Sequence, residues 1–408
     1  MKIKVQNIAK IKSAEIELNG ITIIAGYNST GKSTISKALV YVLRAYKNLT
    51  EKISDNRISS MMSATNLQLR HSASEYAQIK NSMSDLVANP SLEISDELVS
   101  AMSNTNSHLT KHSKSPAEIK SRVEHYRRLS DSEYAVFIVN KSIQDGFGGL
   151  VNTIGSTASG TIEISDDAMA PISIRVENNQ VTACPIFDSP YNAPTYIEPR
   201  HLLDEISSKF PFYMMMDFDT QLALHAALAS DSEIREVSMA DEDDVKKALS
   251  IAKNLSEDIL HGKLKVSEGS VTFFDSDFRE NIPVSDTASG IKSMAYILRL
   301  LENRELKRGD ILVIDEPEVN LHPEWQLAFA DFLVQLSKAL NINILLNTHS
   351  PYFLRAIEVY SERHETSASV KLYMTIPSGD SLNTYVAKDF TANPENVFEP
   401  LYRPFEKL

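Results

Sequence analysis

Two hydrophobic patterns alternate along this chain of 408 residues. Residues 3–8 and 14–18 alternate apolar and polar positions, the period of a half-buried strand, and 21–25, apolar except at Thr22, read as a strand buried on both faces. Residues 35–43 repeat their aliphatics at helical spacing and predict a helix to about residue 46. From about 48 to 133 the chain turns polar, rich in Ser and Asn and without Gly, with apolar residues still at helical spacing. This predicts a helical insertion, its turns or helix starts near Pro90 and Pro116. Alternation returns at 161–164 and 172–176 as an antiparallel pair, with Asn178 and Asn179 as the turn before 181–184, and 193–197 is another short strand. A second helical insertion is expected over 201–261, its last helix opened by the acids at 241–244. Beyond it come a hairpin (263–266 and 270–274), a helix (289–301), a buried strand (310–314), a helix (323–340) and a second buried strand (342–346). The remaining tail offers a strand at 370–376 and a terminal helix-like segment.

Strand and helix alternating in this way predict an α/β fold with a parallel sheet. The expected organisation is a lobe over 1–47, the first helical insertion over 48–135, an antiparallel β subdomain over 136–200, the second insertion over 201–261 and a second lobe over 262–408.

Composition changes this picture little. No apolar run approaches the roughly 20 residues of a membrane-spanning helix, and the N-terminus reads as a strand rather than a signal peptide. The single cysteine, Cys184, excludes an intrachain disulfide, fits a reducing cytoplasm and is expected to be a buried apolar residue. A formal net charge of −13 argues against nucleic-acid binding over the whole surface. It leaves two local basic clusters, Lys120/Arg122/Arg127/Arg128 and Arg304/Lys307/Arg308, which read first as solvated helix faces.

The chemistry concentrates in four places. Gly26-Tyr27-Asn28-Ser29-Thr30-Gly31-Lys32-Ser33-Thr34 is a complete G-x-x-x-x-G-K-[ST] loop between a strand and a helix. Backbone N–H groups and the helix dipole attract phosphate there, Lys32 reaches the β- and γ-phosphates, and the Ser33 hydroxyl can ligate Mg²⁺. Asp315 and Glu316 follow four aliphatics at a strand's carboxyl end, the edge at which open α/β sheets bind ligands. Asp315 is expected on the Mg²⁺ side and Glu316 as the general base for attacking water. His349 stands at the tip of the next buried strand, within expected reach of the γ-phosphate or that water. Ser289 and Gly290 open a helix and so offer a second anion-binding N-terminus, which makes sense if it serves a nucleotide on another subunit.

The order GYNSTGKST, TASGIK, ILVIDEPEVNLHP, LLNTHSP resembles the ABC-type ATPases, and within them the SMC/RecF group and its OLD-like branch, whose strand acids run on as Glu-Pro-Glu-x-x-Leu-His-Pro. The resemblance covers about 1–45, a patch near Tyr196 and 285–354, and leaves the helical insertions uncovered. It implies an ABC-type P-loop ATPase head in the cytoplasm that hydrolyses ATP with Mg²⁺ between two protomers, at least a head-to-head dimer. Ser289 and Gly290 of one protomer would then complete the site holding Lys32, Asp315 and Glu316 of the other. Residues 318–322 would match the D-loop and His349 the switch histidine. The signature keeps Ser-Gly but lacks the second Gly and the Gln of Leu-Ser-Gly-Gly-Gln, and no glutamine stands after 196–198, the expected Q-loop. OLD nucleases carry a Toprim domain after the ATPase, and the tail here is too short for one. The implied role is control of a separate effector, a nuclease or toxin, as in antiphage systems of the PARIS, Septu and retron-associated types. The alternative is a RecF- or SMC-like DNA-repair ATPase acting on nucleic acid through the basic clusters.

Overall fold

The computed structural model describes residues 1–63, 73–103, 115–198, 239–267 and 270–402. Three strands open the chain: β1 (Lys2–Ile8), β2 (Ile11–Glu17) and β3 (Ile21–Ala25). Helix α1 (Lys32–Tyr46) starts directly behind the Gly-rich loop, with Gly31 as its N-cap at φ 92°. Next among the described residues come the helices α2 (Leu49–Ser63), α3 (Ala73–Ala88), α4 (Asp96–Ser103) and α5 (Pro116–Arg128). Their apolar positions (Ile58, Met61, Met83, Leu86, Val99 and Val123 among them) form a hydrophobic cluster separate from the two that line the sheet. Helix α6 (Asp131–Phe147) spans the boundary expected at residue 135 and packs on α1 instead. Capping boxes start α5 and α6, in which Ser115 and Ser130 each exchange hydrogen bonds with the Glu three residues on.

The strands β4 (Gly160–Asp166), β5 (Met169–Glu177), β6 (Gln180–Ala183) and β7 (Thr195–Ile197) come next. After α7 (Met239–Leu255), a small antiparallel sheet forms from β8 (Gly262–Ser267), β9 (Ser270–Asp275) and β10 (Glu280–Pro283), the last of which adds a strand to the expected hairpin. Then α8 (Ser289–Glu302), β11 (Ile311–Asp315), α9 (Pro323–Leu340) and β12 (Asn343–Thr348) alternate. Pro323 at the first turn and left-handed Asn341 just past the end bracket α9. Helix α10 (Pro351–Arg363), β13 (Val370–Pro377), β14 (Tyr385–Asp389) and α11 (Glu395–Tyr402) complete the described chain. The second expected insertion lies largely outside the described residues, α7 being its described part.

Among the described residues the main sheet has eleven strands in the order β6-β5-β4-β1-β2-β14-β13-β3-β12-β11-β7. Five of them, β13, β3, β12, β11 and β7, run parallel side by side. The antiparallel strands expected as a subdomain are continuous with these, joined through β2 and β14. The fold is therefore α/β with a mixed sheet, its parallel half carrying the Gly-rich loop, the strand-end acids and His349. Side chains of the central strands alternate between two cores. Leu312 and Ile314 face one cluster with Phe329, Leu333 and Phe353, while Ile311 and Val313 face the other with Ile35, Leu39 and Leu43. Burial on both faces explains why these strands read as unbroken apolar runs. Cys184 is half-buried beside Tyr46, and burial pushes its thiol pKa up. Among the described residues no helix is long and apolar enough to cross a membrane.

Candidate functional site

The carboxyl ends of β3, β12 and β11 lie side by side, and each delivers one part of the site. The parallel register pairs Ala25 with Thr348 and Asp315 with Asn347. The Gly-rich loop, the two acids and His349 therefore converge on one edge of the sheet, as open α/β folds require of a ligand site.

The loop after β3 turns on residues with positive φ. Gly26 (148°) and Gly31 (92°) take conformations that favour glycine, and Ser29 (62°) is left-handed. At Gly26 a Cβ would overlap Thr375 Oγ1, so only hydrogen fits. Thr30 Oγ1 donates to the Tyr27 carbonyl at 2.8 Å and lies 2.6 Å from Thr375 Oγ1, tying the loop to β13. Lys10 Nζ donates to the Ser29 carbonyl (2.9 Å), and Tyr27 OH to the Pro400 carbonyl in α11 (2.6 Å). The first N–H groups of α1 lack intrahelical partners and face the loop, a ready cradle for an anion. Asn28 and Ser33 are exposed at its mouth, and Thr34 is half-buried.

Lys32 is buried and donates to the carbonyls of Gly26 and Tyr27, each at 2.9 Å. Burial lowers its pKa, and the negative charges of Glu316, Glu318 and Asp315 oppose that shift. One ammonium thus faces three carboxylates across the site.

Asp315 ends β11 with both oxygens engaged. Oδ2 accepts from Tyr196 OH at 2.7 Å, and Oδ1 accepts from Asn347 Nδ2, which also reaches Ser36 Oγ in α1 at 2.7 Å. Burial, then the nearby Asp315 charge, push the Tyr196 pKa far up, so this tyrosine stays a donor. Neither Tyr196 nor Asn347 is an expected site residue from sequence. Tyr196 sits where the resemblance places the approach to a Q-loop glutamine, and Asn347 is a fully buried polar residue in an apolar strand, which is itself a signal. Tyr196→Phe leaves one Asp315 oxygen without its donor, a change that costs about 1–3 kcal/mol of stability in measured cases. We expect a lower melting temperature, read by thermal denaturation.

Glu316 takes the left-handed region at φ 52°, uncommon for this residue type, while its N–H donates to the Asn347 carbonyl at 2.8 Å. Strained backbone of this kind persists where surrounding structure fixes it, and it clusters at functional sites. The Glu316 side chain is 31% exposed, and its Oε1 lies 3.9 Å from His349 Nδ1. Glu318, by contrast, is buried, and Oε1 accepts from Thr348 Oγ1, His349 N and Ser350 N at 2.7, 3.0 and 3.2 Å.

Ser289 and Gly290 lie in the first turn of α8, whose N-cap is Ala288. Gly290 is packed against the turn after β11: a Cβ there would overlap the Leu321 side chain and lie 3.3 Å from the Val319 carbonyl. Within one chain the acids and the α8 start are thus joined by residues 319–321. The basic cluster of α5 is largely occupied: Arg127 donates to the carbonyls of Asn89 and Pro90 and pairs with Glu124, Arg128 also pairs with Glu124, and Lys120 lies 3.9 Å from Asp96. Arg308 pairs with Asp244. Among the described residues, no group of three or more His, Cys, Asp or Glu side chains could hold a metal ion alone.

A family model described as "AAA domain, putative AbiEii toxin, Type IV TA system" matches residues 183–355, and one described as "AAA domain" matches residues 2–147. No curated protein matches the chain. Among solved structures, the chain is similar to an Smc head bound to the C-winged helix domain of ScpA (TM-score 0.47, 11% identity, covering 97% of this chain and 98% of that one). It is also similar to the SMC head domain from Thermotoga maritima (0.40, 10%, 95% and 97%). A third is an Smc head with an extended coiled coil, bound to the C-terminal domain of ScpA derived from Pyrococcus furiosus (0.42, 12%, 98% and 98%). Likenesses of this size carry no functional information. The first AAA-domain segment in chain order holds the Gly-rich loop, the second holds Asp315, Glu316 and His349, and together with the geometry they support a P-loop ATPase.

Proposed function

We propose that this protein binds ATP in the loop of residues 26–34 and hydrolyses it in a composite site between two copies. The observation that carries the reading is the convergence of Lys32, Asp315, Glu316 and His349 on one edge of parallel strands. ATP phosphates would take the backbone cradle and the Lys32 ammonium, in a site that holds three carboxylates around one cation. The donor set also fits Mg²⁺: the exposed Ser33 hydroxyl can meet the ion, and Asp315, its two oxygens already hydrogen-bonded, suits holding a metal-bound water. Bound there with the nucleotide, Mg²⁺ would neutralise charge on the phosphates. Glu316 would take a proton from attacking water; in support, its carboxylate is part-exposed and lies 3.9 Å from His349 Nδ1.

The start of α8 in a second copy would close the site over the nucleotide. Ser289→Arg tests this: one copy should still bind ATP, while hydrolysis falls by about 10²-fold or more as the closing cradle is lost. Hydrolysis unchanged in Ser289→Arg would exclude α8 from the composite site.

Control of a separate effector, a nuclease or toxin of an antiphage system, is the role we infer for the cycle. Its support is the resemblance to OLD-like ATPases and the putative-toxin description of one matched family model. Co-purification of the chain with proteins of its own operon checks that role; purification alone, from native levels, would count against it.

A further inference from the structure

Of the three acids whose charge reaches Lys32, Glu318 is buried nearly as deeply as Asp315, and it is the one with no part in the chemistry proposed for the site. Its Oε1 collects three donors from the turn between β12 and α10: the Thr348 hydroxyl and the N–H groups of His349 and Ser350. The same oxygen lies 3.3 Å from His349 Nδ1. Oε2 and His349 Nδ1 are both sealed from solvent, and neither has a hydrogen-bond partner among the described residues. Since the His349 side chain as a whole is 39% exposed, the open edge of the ring is the one away from Glu318. Ser350 then caps α10 by accepting from Phe353 N at 3.1 Å, so the carboxylate and the cap together fix where the histidine leaves the sheet.

A buried carboxylate gathers donors because leaving it unmet is costly, and bonds to a charged acceptor are roughly twice as strong as neutral ones. Three donors converging on one oxygen pin the strand-to-helix turn that carries the histidine. A carboxylate next to Nδ1 also favours the proton on that nitrogen, which leaves Nε2 to meet water or a phosphate oxygen.

We propose that Glu318 is a positioning residue that works through His349: it anchors residues 348–350 and orients the imidazole toward the nucleotide. The proposal rests on the ATPase reading of the site. It also makes a link between two segments, since Glu318 stands one residue before Val319, whose carbonyl approaches Gly290 at the start of α8. Movement of that start would be felt at His349 through Glu318.

The test is a double-mutant cycle on the full chain, with kcat and KM for Mg-ATP measured for Glu318→Gln, Glu318→Ala, His349→Ala and the two doubles. Glutamine keeps an acceptor oxygen for the three donors and removes the charge, so it guards against a variant that fails to fold; melting curves accompany each protein. We expect kcat to fall about 10-fold in Glu318→Gln and about 10²-fold in Glu318→Ala, the second at the low end of the range of a positioned proton-transfer group, with KM within about threefold. In the His349→Ala background neither change should lower kcat further, because residues acting as a unit are not additive. A merely structural role would instead multiply with His349→Ala and track the melting temperature, and either that result or wild-type turnover in Glu318→Ala overturns the proposal. Absence of turnover in the wild-type chain would overturn the ATPase reading and this proposal with it, whereas normal wild-type turnover with an unaffected Glu318→Ala sinks this proposal alone.

Discussion

Lys32→Ala should abolish measurable ATP binding, raising Kd by about 10²-fold or more, since removing one partner of a buried charge pair costs about 2–5 kcal/mol. The lysine is buried at the base of the loop, and its ammonium is the cation among the carboxylates of Asp315, Glu316 and Glu318. In the structure it rests on the carbonyls of Gly26 and Tyr27, two neutral acceptors from which a phosphate can draw it away. Alanine removes the positive charge and leaves the three acids facing the phosphates directly. Titration with a fluorescent ATP analogue reads the loss, and circular dichroism shows whether the fold is kept. Binding within about threefold of wild type would mean that the loop of residues 26–34 is not the nucleotide site.

Glu316→Gln should do the opposite: keep ATP bound and stop its turnover. Glutamine is isosteric with glutamate and faces the same left-handed backbone, so the φ of 52° and the N–H bond to the Asn347 carbonyl can persist. What is lost is a base for the attacking water, a change worth about 10²–10⁴-fold in rate. Affinity should rise slightly, because one of three negative charges around the phosphates is gone. Single-turnover hydrolysis and nucleotide binding, measured side by side, separate the two effects. Equal loss of both would show that Glu316 holds the nucleotide rather than the water.

Much of this was legible in the chain because the central elements are locally determined. The run 21–25 is apolar at every position but Thr22, and it is a strand at those bounds; the helix Pro323–Leu340 announces itself by Pro323 at its start. The loop motif and the acids at a strand's end located where the chemistry gathers. Other features escaped for physical reasons. Strand β14 is short and only partly buried, so its sequence carries weak alternation, yet it sits in the middle of the sheet and joins the antiparallel strands to the parallel ones. Helix α10 did carry a start signal, Ser350 followed by Pro351, which the apolar strand before it overshadowed. Tyr196 reaches Asp315 from a three-residue strand more than a hundred positions upstream, and no local pattern encodes that contact. Glu318 stood out in the sequence only as the first residue of the D-loop match, because its partners, residues 348–350, lie some thirty positions on. The basic residues at 120–128 read as a surface cluster, whereas Arg127 is spent on holding the Asn89 and Pro90 carbonyls. Long-range polar contacts of this kind are where sequence pattern is least informative, and they are also where the site is tuned.

The claim that matters most is that the site closes between two copies around ATP. The mass of Glu316→Gln in solution, measured by light scattering with and without Mg-ATP, tests it most directly. The 45.5 kDa chain should at least double in mass when Mg-ATP is added and return when the nucleotide is removed, and Lys32→Ala should show no such change. A Glu316→Gln protein that binds ATP and keeps the same mass with and without it would contradict the composite site.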